Sequence, residues 1–175
     1  MEDLARILLF TGDGKGKTTA ALGLALRASG HGLGTVVIQF VKSDASTGEV
    51  AAIKRLPGVE IVLAGRGFIP PEGDPEFALH REAAQMGLDL AAEALISGKY
   101  QVVILDEICL AVSRKLISGE KVEEVIRSAV PDMCVVLTGR NAPENLVALA
   151  DTVTEMRSVK HGFQAGRKAQ KGVEH

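Results

Sequence analysis

Short apolar runs alternate along the chain with longer stretches in which apolar residues recur at helical spacing. The runs are rich in β-branched residues, and several, such as VVIL and CVVL, contain no polar residue at alternate positions. Uninterrupted apolar runs of this length are typical of strands covered on both faces. Six strands are predicted, at residues 6–11, 35–41, 59–63, 101–106, 133–138 and 152–156.

Helices are predicted between these strands, at residues 18–29, 48–56, 75–97, 120–129 and 143–150. The alternation predicts an α/β fold with a mostly parallel sheet and helices on both faces. The least regular stretch, residues 64–74, contains three Gly and two Pro in eleven residues and is predicted to be a loop. In open α/β sheets, loops at the carboxyl ends of strands are where ligands bind.

The composition is that of one globular domain and argues against a nucleic-acid binder. A length of 175 residues predicts a single domain over residues 1–175. Aromatic residues make up 3% of the chain and Trp is absent, so the core is aliphatic and few rings could stack on bases. The formal net charge of -2 is far from the basic balance of typical nucleic-acid binders.

Cysteine usage and the N-terminus predict a cytoplasmic protein that does not contact membranes. Cys109 and Cys134 lie in apolar stretches without the spacing of metal ligands, which favours small core residues in a reducing compartment. The first residues carry acids where a signal peptide has positive charge. No stretch approaches the roughly 18 apolar residues of a membrane span.

The strongest motif is a Gly-rich turn between the first strand and the first helix, TGDGKGKTT. This order of strand, loop and helix is the context of a P-loop, in which backbone N–H groups and a Lys surround phosphates. The pattern departs from the usual motif only at its first position, where Thr11 replaces Gly. The candidate phosphate-binding residues are Gly12, Asp13, Gly14, Lys15, Gly16, Lys17, Thr18 and Thr19.

The fourth predicted strand ends in Asp106 and Glu107. An acid at the end of such a strand holds Mg²⁺ in P-loop proteins, and the Thr18 hydroxyl can ligate the same ion. Thr18, Asp106 and Glu107 are therefore the candidate ligands of Mg²⁺ or Mn²⁺. Lys17, Thr18 and Glu107 are the candidate catalytic residues, with two roles open for Glu107: activation of a water, or a metal or substrate contact.

Beyond these motifs, the sequence resembles the P-loop-type ATP:corrinoid adenosyltransferases, the cob(I)alamin adenosyltransferases. The resemblance runs through nearly the whole chain in order. Its segments are TGDGKGKTTAALGLALRASGHG, VVIQFVK, Gly48 with Glu49, the GRGF of residues 65–68, VVILDE and VVLTGRNAPENLVALADTVTEMRSVKHGFQAGRKAQKGVE. The resemblance implies a P-loop NTPase-like (RecA-like) three-layer sandwich.

The resemblance also implies a reaction in which reduced cobalt of a corrinoid attacks the 5′ carbon of ATP and triphosphate leaves. Phe68 is then expected to face the corrinoid, and the basic segment of residues 157–175 to close over the nucleotide. The alternative for this segment is a solvated, charged tail without a ligand. The expected ATP contacts outside the Gly-rich turn are Arg140, Lys160, His161, Lys168 and Gln170. A reduced flavoprotein as electron donor and a homodimer are further expectations from the resemblance.

Three positions depart from the family pattern. A Trp usually stands beside the Phe of the GF segment, where this chain has Ile69 and Pro70. Asn-Tyr usually follows the acid pair, where this chain has Cys109 and Leu110. The Pro of the family's Lys-His-Pro-Phe pattern is replaced here by Gly162. Two other classes of function therefore remain open: a P-loop ATPase or kinase-like enzyme with a changed corrinoid site, and a non-catalytic nucleotide- or corrinoid-binding protein.

Overall fold

A computed structural model describes residues 5–162 and 166–173. Within them the chain forms six strands, which are β1 (Arg6–Thr11), β2 (Thr35–Gln39), β3 (Val59–Leu63), β4 (Val102–Asp106), β5 (Cys134–Thr138) and β6 (Thr152–Glu155). The helices of the same residues are α1 (Lys17–Gly30), α2 (Gly48–Ile53), α3 (Phe77–Ile96), α4 (Ile108–Ser113), α5 (Gly119–Arg127) and α6 (Glu144–Leu149).

The six strands form one sheet in the order β3-β2-β4-β5-β1-β6, and each neighbouring pair is parallel. All five residues of β2 and of β4 are buried, as the apolar runs VVI and VVIL within them predict, whereas the edge strand β6 is exposed throughout. Because the strands are parallel, the loops that follow them lie at one edge of the sheet.

Helices cover both faces of the sheet, so the predicted α/β sandwich is confirmed. On one face α1 and α2 pack on alternate strand residues such as Val37 and Ile104. The side chains of α1 that meet the sheet are small, namely Ala21, Ala25 and Ala28, so the helix lies close to it. On the other face, residues of α3, α5 and α6 cover the strand residues that alternate with these, including Ile38 and Leu105.

Most observed elements lie within one or two residues of the predicted bounds, and three differences are larger or have a structural cause. Helix α4 is missing from the prediction because it begins directly after Glu107, whose positive φ of 62° turns the chain from strand to helix without an intervening loop. Strand β2 ends at Gln39 rather than at residue 41, since the carbonyl of Val41 accepts from the Gly67 N–H instead. Helix α2 ends at Ile53, before Pro57 and Gly58.

None of the helices in the described residues is both long and apolar enough to cross a membrane. Cys109 is buried and Cys134 is half-buried, and both are free thiols, as their apolar surroundings predict. Burial raises the pKa of the Cys109 thiol to about 12, which keeps it protonated and unreactive at neutral pH.

Candidate functional site

The phosphate loop, residues 12–19, curls between β1 and α1 against the end of β6. Gly12 and Gly16 have φ values of 95° and 121°, which favour glycine. The N–H of Gly14 donates to the carbonyl of Met156 at 2.6 Å, and a Cβ on Gly14 would lie 2.6 Å from the same oxygen. The close approach of Met156 therefore requires glycine at position 14 and supports the loop from behind.

Lys17 is 6% exposed and lies over the phosphate loop. Its ammonium donates to the carbonyls of Gly12 at 2.6 Å and Gly14 at 2.8 Å. Burial lowers the pKa of Lys17, an effect that the nearby carboxylates of Glu107, Asp13 and Asp106 oppose and the cation of Arg140 reinforces. These contacts hold a cation at the centre of a loop built to bind anions.

Asp106 is a buried carboxylate, 1% exposed, at the carboxyl end of β4. Its Oδ1 accepts hydrogen bonds from the hydroxyls of Thr18 and Thr138, both at 2.7 Å. Its Oδ2 accepts from Nε2 of Gln39 at 2.9 Å. Asp106 thus connects the start of α1 with the ends of β2, β4 and β5, and three neutral donors fix its orientation.

Glu107 lies between Asp106 and α4 in a left-handed conformation. Its N–H donates to the Thr138 hydroxyl at 2.8 Å, and its Oε2 is buried without a hydrogen-bond partner among the described residues. Burial raises the pKa of Glu107 and the charge of Asp106 adds to the effect, while the cations of Lys17, Arg140 and Lys42 oppose it. A buried, unpartnered carboxylate oxygen is an acceptor available for a cation or a ligand hydroxyl.

Lys17, Thr18 and Glu107 border a cavity of about 770 Å³, whereas Asp106 is not among the described residues that line it. One wall is the phosphate loop from Asp13 to Thr19, continued by Leu22 of α1. The opposite wall is formed by the residues after β2, the start of α2 and the loop after β3, and consists of Val41, Lys42, Gly48, Glu49, Phe68 and Ile69. Residues after β4 and β5 and from the C-terminal segment complete the lining: Glu107, Leu110, Arg114, Arg140, His161, Gly172 and Val173.

Phe68 stands out because it is 86% exposed on a loop that is otherwise well anchored. Before it, the N–H of Gly67 donates to the carbonyl of Val41 at 2.7 Å. After it, Ile69 is buried in the hydrophobic core. The backbone around Phe68 is therefore fixed, and it presents a large apolar ring to the cavity. The ring itself remains in contact with water.

The C-terminal segment reaches the phosphate loop. The Lys15 ammonium donates to the carbonyl of Val173 at 2.7 Å, and His161 lines the cavity. Lys160, Lys168 and Gln170 are exposed and are not among the described residues that line it. Residues 163–165 and 174–175 lie outside the described part of the chain.

The structure thus brings together most of the residues that the sequence predicts for the site. Arg140 lines the cavity near Lys17 and Glu107, since its charge affects the pKa of both. Sequence reasoning missed Gln39, Thr138 and Met156, which hold the predicted residues in place. Among these, Gln39 and Thr138 carried a local signal, because each is a polar residue at the end of an apolar strand.

The parallel sheet, the phosphate loop and the buried acid at the end of β4 together define a protein of the P-loop NTPase-like class. Comparison with known families narrows this class. Residues 4–175 match the model of the family described as ATP:corrinoid adenosyltransferase BtuR/CobO/CobP, and the chain belongs to this family.

The chain is also similar in sequence to curated relatives over most of their length. The chain is 40% identical over 169 residues to a protein named corrinoid adenosyltransferase from Pseudomonas aeruginosa, covering 96% of this chain and 82% of the relative. It is 36% identical over 176 residues to the corrinoid adenosyltransferase CobA of Salmonella typhimurium, covering 99% and 87%. For the corrinoid adenosyltransferase of Escherichia coli K12 the identity is 37% over 171 residues, covering 97% and 85%.

Proposed function

We propose that the protein transfers the 5′-deoxyadenosyl group of ATP to the reduced cobalt of a corrinoid and releases triphosphate. The observation that carries this proposal is that one cavity has the phosphate loop on one wall and the exposed Phe68 on the other. Such a cavity suits two substrates of different chemistry, one polyanionic and one a large apolar ring system. Family membership supplies the identity of both.

In the proposed reaction, the electron pair of cobalt(I) attacks the 5′ carbon of ATP. The bond between this carbon and the phosphate oxygen breaks, triphosphate leaves with the bonding pair, and a cobalt–carbon bond forms. The attacking pair comes from the metal, so no proton is abstracted and no general base is required. Of the two roles open for Glu107, a metal or ribose contact therefore fits this chemistry better than water activation.

The main task of the site is then to stabilise the leaving triphosphate, which carries about four negative charges. The phosphate loop supplies oriented N–H groups at the start of α1 and the cation of Lys17. Lys15 and Arg140 line the same cavity and add positive charge to it. Donors and charges fixed in advance stabilise the transition state without reorganisation, which is how such groups contribute most to the rate.

The side chains beside the phosphate loop also suit Mg²⁺, or Mn²⁺ in its place. Thr18, Asp106 and Glu107 offer hard oxygen ligands, and the buried Oε2 of Glu107 has no hydrogen-bond partner among the described residues. When bound, the metal would neutralise charge on the triphosphate. We expect ATP binding, measured by calorimetry, to weaken at least tenfold when Mg²⁺ is removed by chelation, and the difference to disappear in Asp106→Ala.

The C-terminal segment completes the proposal. We infer that residues 157–175 cover the nucleotide, with Lys160, His161, Lys168 and Gln170 as its contacts. The hydrogen bond from Lys15 to Val173 and the position of His161 in the cavity wall support this inference. The single-domain organisation, a homodimer, a cytoplasmic location and a reduced flavoprotein as electron donor rest on the sequence and the family resemblance alone.

The proposed function is tested by mixing the protein with ATP, Mg²⁺ and chemically reduced cobalamin under exclusion of oxygen. Appearance of the light-sensitive absorbance of adenosylcobalamin, absent without protein, is the expected result. Formation of ADP and phosphate without an alkylated corrinoid would instead identify an ATPase. Tight binding of both ligands without any product would identify a binding protein.

A further inference from the structure

A Lys-Glu ion pair lies in the cavity wall opposite the phosphate loop, outside the groups that act on triphosphate. The ammonium of Lys42 and Oε1 of Glu49 are 2.5 Å apart, and both residues line the cavity. Their side chains are 37% and 17% exposed. Most surface ion pairs contribute little to stability, so the position of this pair inside a ligand cavity suggests a role in binding.

Glu49 holds its partner in place. It lies in the first turn of α2, where the helix dipole favours a negative charge. Burial by itself would raise the pKa of Glu49, but hydrogen bonds from Lys42, from its own backbone and from Thr47 lower it. The carboxylate is therefore charged at neutral pH, and its position fixes the direction of the Lys42 side chain.

Lys42 lies next to the loop that presents Phe68. The N–H of Gly67 donates to the carbonyl of Val41, and a Cβ on Gly67 would lie 3.3 Å from Oγ of Ser43. The backbone just before Phe68 therefore runs along residues 41–43. This contact places the backbone of Lys42 beside the loop that carries Phe68, and the residues Lys42 and Phe68 line the same cavity, at the wall that the proposed function assigns to the corrinoid.

The charge balance of the pair favours a neutral acceptor. Within the described residues, the ammonium of Lys42 uses one of its three donors, on Glu49. A cation already neutralised by a carboxylate attracts a polyphosphate weakly, but its remaining donors can still bind a carbonyl oxygen. Corrinoids carry such oxygens around the ring, as side-chain carboxamides or, in incompletely amidated forms, as carboxylates.

We propose that Lys42, oriented by Glu49, donates a hydrogen bond to a peripheral carboxamide oxygen of the corrinoid and so determines how the ring is seated over Phe68. This inference rests on the proposed function and deepens it. It assigns Lys42 to corrinoid recognition and Glu49 to positioning. Neither residue is assigned to the stabilisation of the leaving group.

The test compares Lys42→Met with Lys54→Met, which removes the same charge from an exposed position just after α2 and outside the cavity. KM is measured separately for the corrinoid and for ATP. We expect Lys42→Met to raise the corrinoid KM about tenfold, as for loss of a hydrogen bond from a charged group, with the ATP KM changed less than twofold. Lys54→Met should leave both values unchanged.

Because Lys42→Met leaves the carboxylate of Glu49 without its partner, the double variant Lys42→Met/Glu49→Gln is measured as well. It removes both charges, so its melting temperature should be close to that of the wild type while its corrinoid KM stays raised. A corrinoid KM that returns to the wild-type value in the double variant would mean that the unpaired carboxylate, and not a lost contact, caused the change, and would overturn the proposal.

Two corrinoids separate the possible acceptors, one fully amidated and one with peripheral carboxylates. The proposal expects Lys42→Met to raise KM for both. An effect on the carboxylate form alone would contradict the carboxamide contact, and an equal rise in the ATP KM would make Lys42 a nucleotide ligand. If the wild-type protein forms no adenosylated corrinoid, the proposed function itself is refuted. If the wild type is active and the Lys42→Met variant has an unchanged corrinoid KM, only the role of Lys42 is refuted.

Discussion

The two walls of the cavity are built in different ways. Beside the phosphate loop, the charged groups are held by polar partners: Lys17 contacts two backbone carbonyls, and Asp106, which does not itself line the cavity, accepts three hydrogen bonds. On the opposite wall, Phe68 is an exposed side chain on an anchored backbone, and Lys42 and Glu49 form an ion pair. The first wall is a connected polar network and the second is a mainly apolar surface.

This difference follows from what each substrate demands. A triphosphate presents concentrated charge at fixed spacing, so its site needs donors and cations held in advance. A corrinoid presents a broad ring, for which apolar contact area matters more than exact placement of many polar groups. Substitutions on the first wall should therefore affect catalysis and stability together, whereas substitutions of the exposed side chains on the second should affect corrinoid binding alone.

The largest effect is expected from Lys17→Ala. The substitution removes the cation that faces the leaving phosphates, and loss of one such preorganised group costs about 10²- to 10³-fold in rate. We expect ATP-dependent formation of the adenosylated corrinoid to fall at least 10²-fold, measured as kcat/KM. Lys121→Ala, which removes the same charge from the exposed face of α5, is the control. Activity near that of the wild type would refute the assignment of the phosphate loop.

A smaller and more selective effect is expected from Phe68→Ala. Because Phe68 is 86% exposed, its removal should leave the melting temperature unchanged. The corrinoid KM should rise about tenfold, as expected for the loss of one well-packed aromatic contact. The matched variant Ile69→Ala changes the buried neighbour and should destabilise the fold by about 2–5 kcal/mol. Equal losses of ATP and corrinoid affinity in Phe68→Ala would mean that the loop is only structural.

The polar network is tested by Thr138→Val. This hydroxyl donates to Asp106 and accepts from the N–H of Glu107, so its loss leaves two buried groups short of a partner. We expect a loss of about 1–3 kcal/mol in the free energy of unfolding, measured with urea. Thr152→Val makes the same change on the exposed strand β6 and should alter stability little. Equal behaviour of the two variants would contradict the network.

The smallest effect concerns pH. The pKa of Glu107 is raised by burial, so the folded state holds this proton at pH values where the unfolded state has lost it. Stability from this group therefore falls as pH rises from the unfolded pKa through the folded one. Glu107→Gln should melt a few degrees higher than the wild type at pH 7–8, with a smaller difference near pH 4. A difference independent of pH would contradict burial of the charge.

Much of this arrangement could be predicted from the sequence because its signals are local. The phosphate loop is a contiguous motif between a strand and a helix, and Asp106 ends an apolar strand whose direction is set by the parallel sheet. The parts that escaped prediction depend on contacts between distant segments. Gln39 and Thr138 meet Asp106 only when β2, β4 and β5 are adjacent.

Two further features escaped prediction for the same reason. The support of the phosphate loop by Met156 depends on β6 pairing with β1, although the two strands are far apart in the chain. The ion pair of Lys42 and Glu49 depends on how α2 returns beside the end of β2. By contrast, α4 was missed because its short apolar sequence continues that of β4, and no Gly or Pro marks the boundary.

The central claim is that one cavity joins ATP and a corrinoid in a single transfer. It is tested most directly by the stoichiometry of products from ATP, Mg²⁺ and cobalt(I) corrinoid, with phosphorus NMR for the phosphates and absorbance for the cobalt–carbon bond. The account predicts one triphosphate for each adenosylated corrinoid and no ADP. ADP and phosphate in excess over adenosylated corrinoid would contradict it.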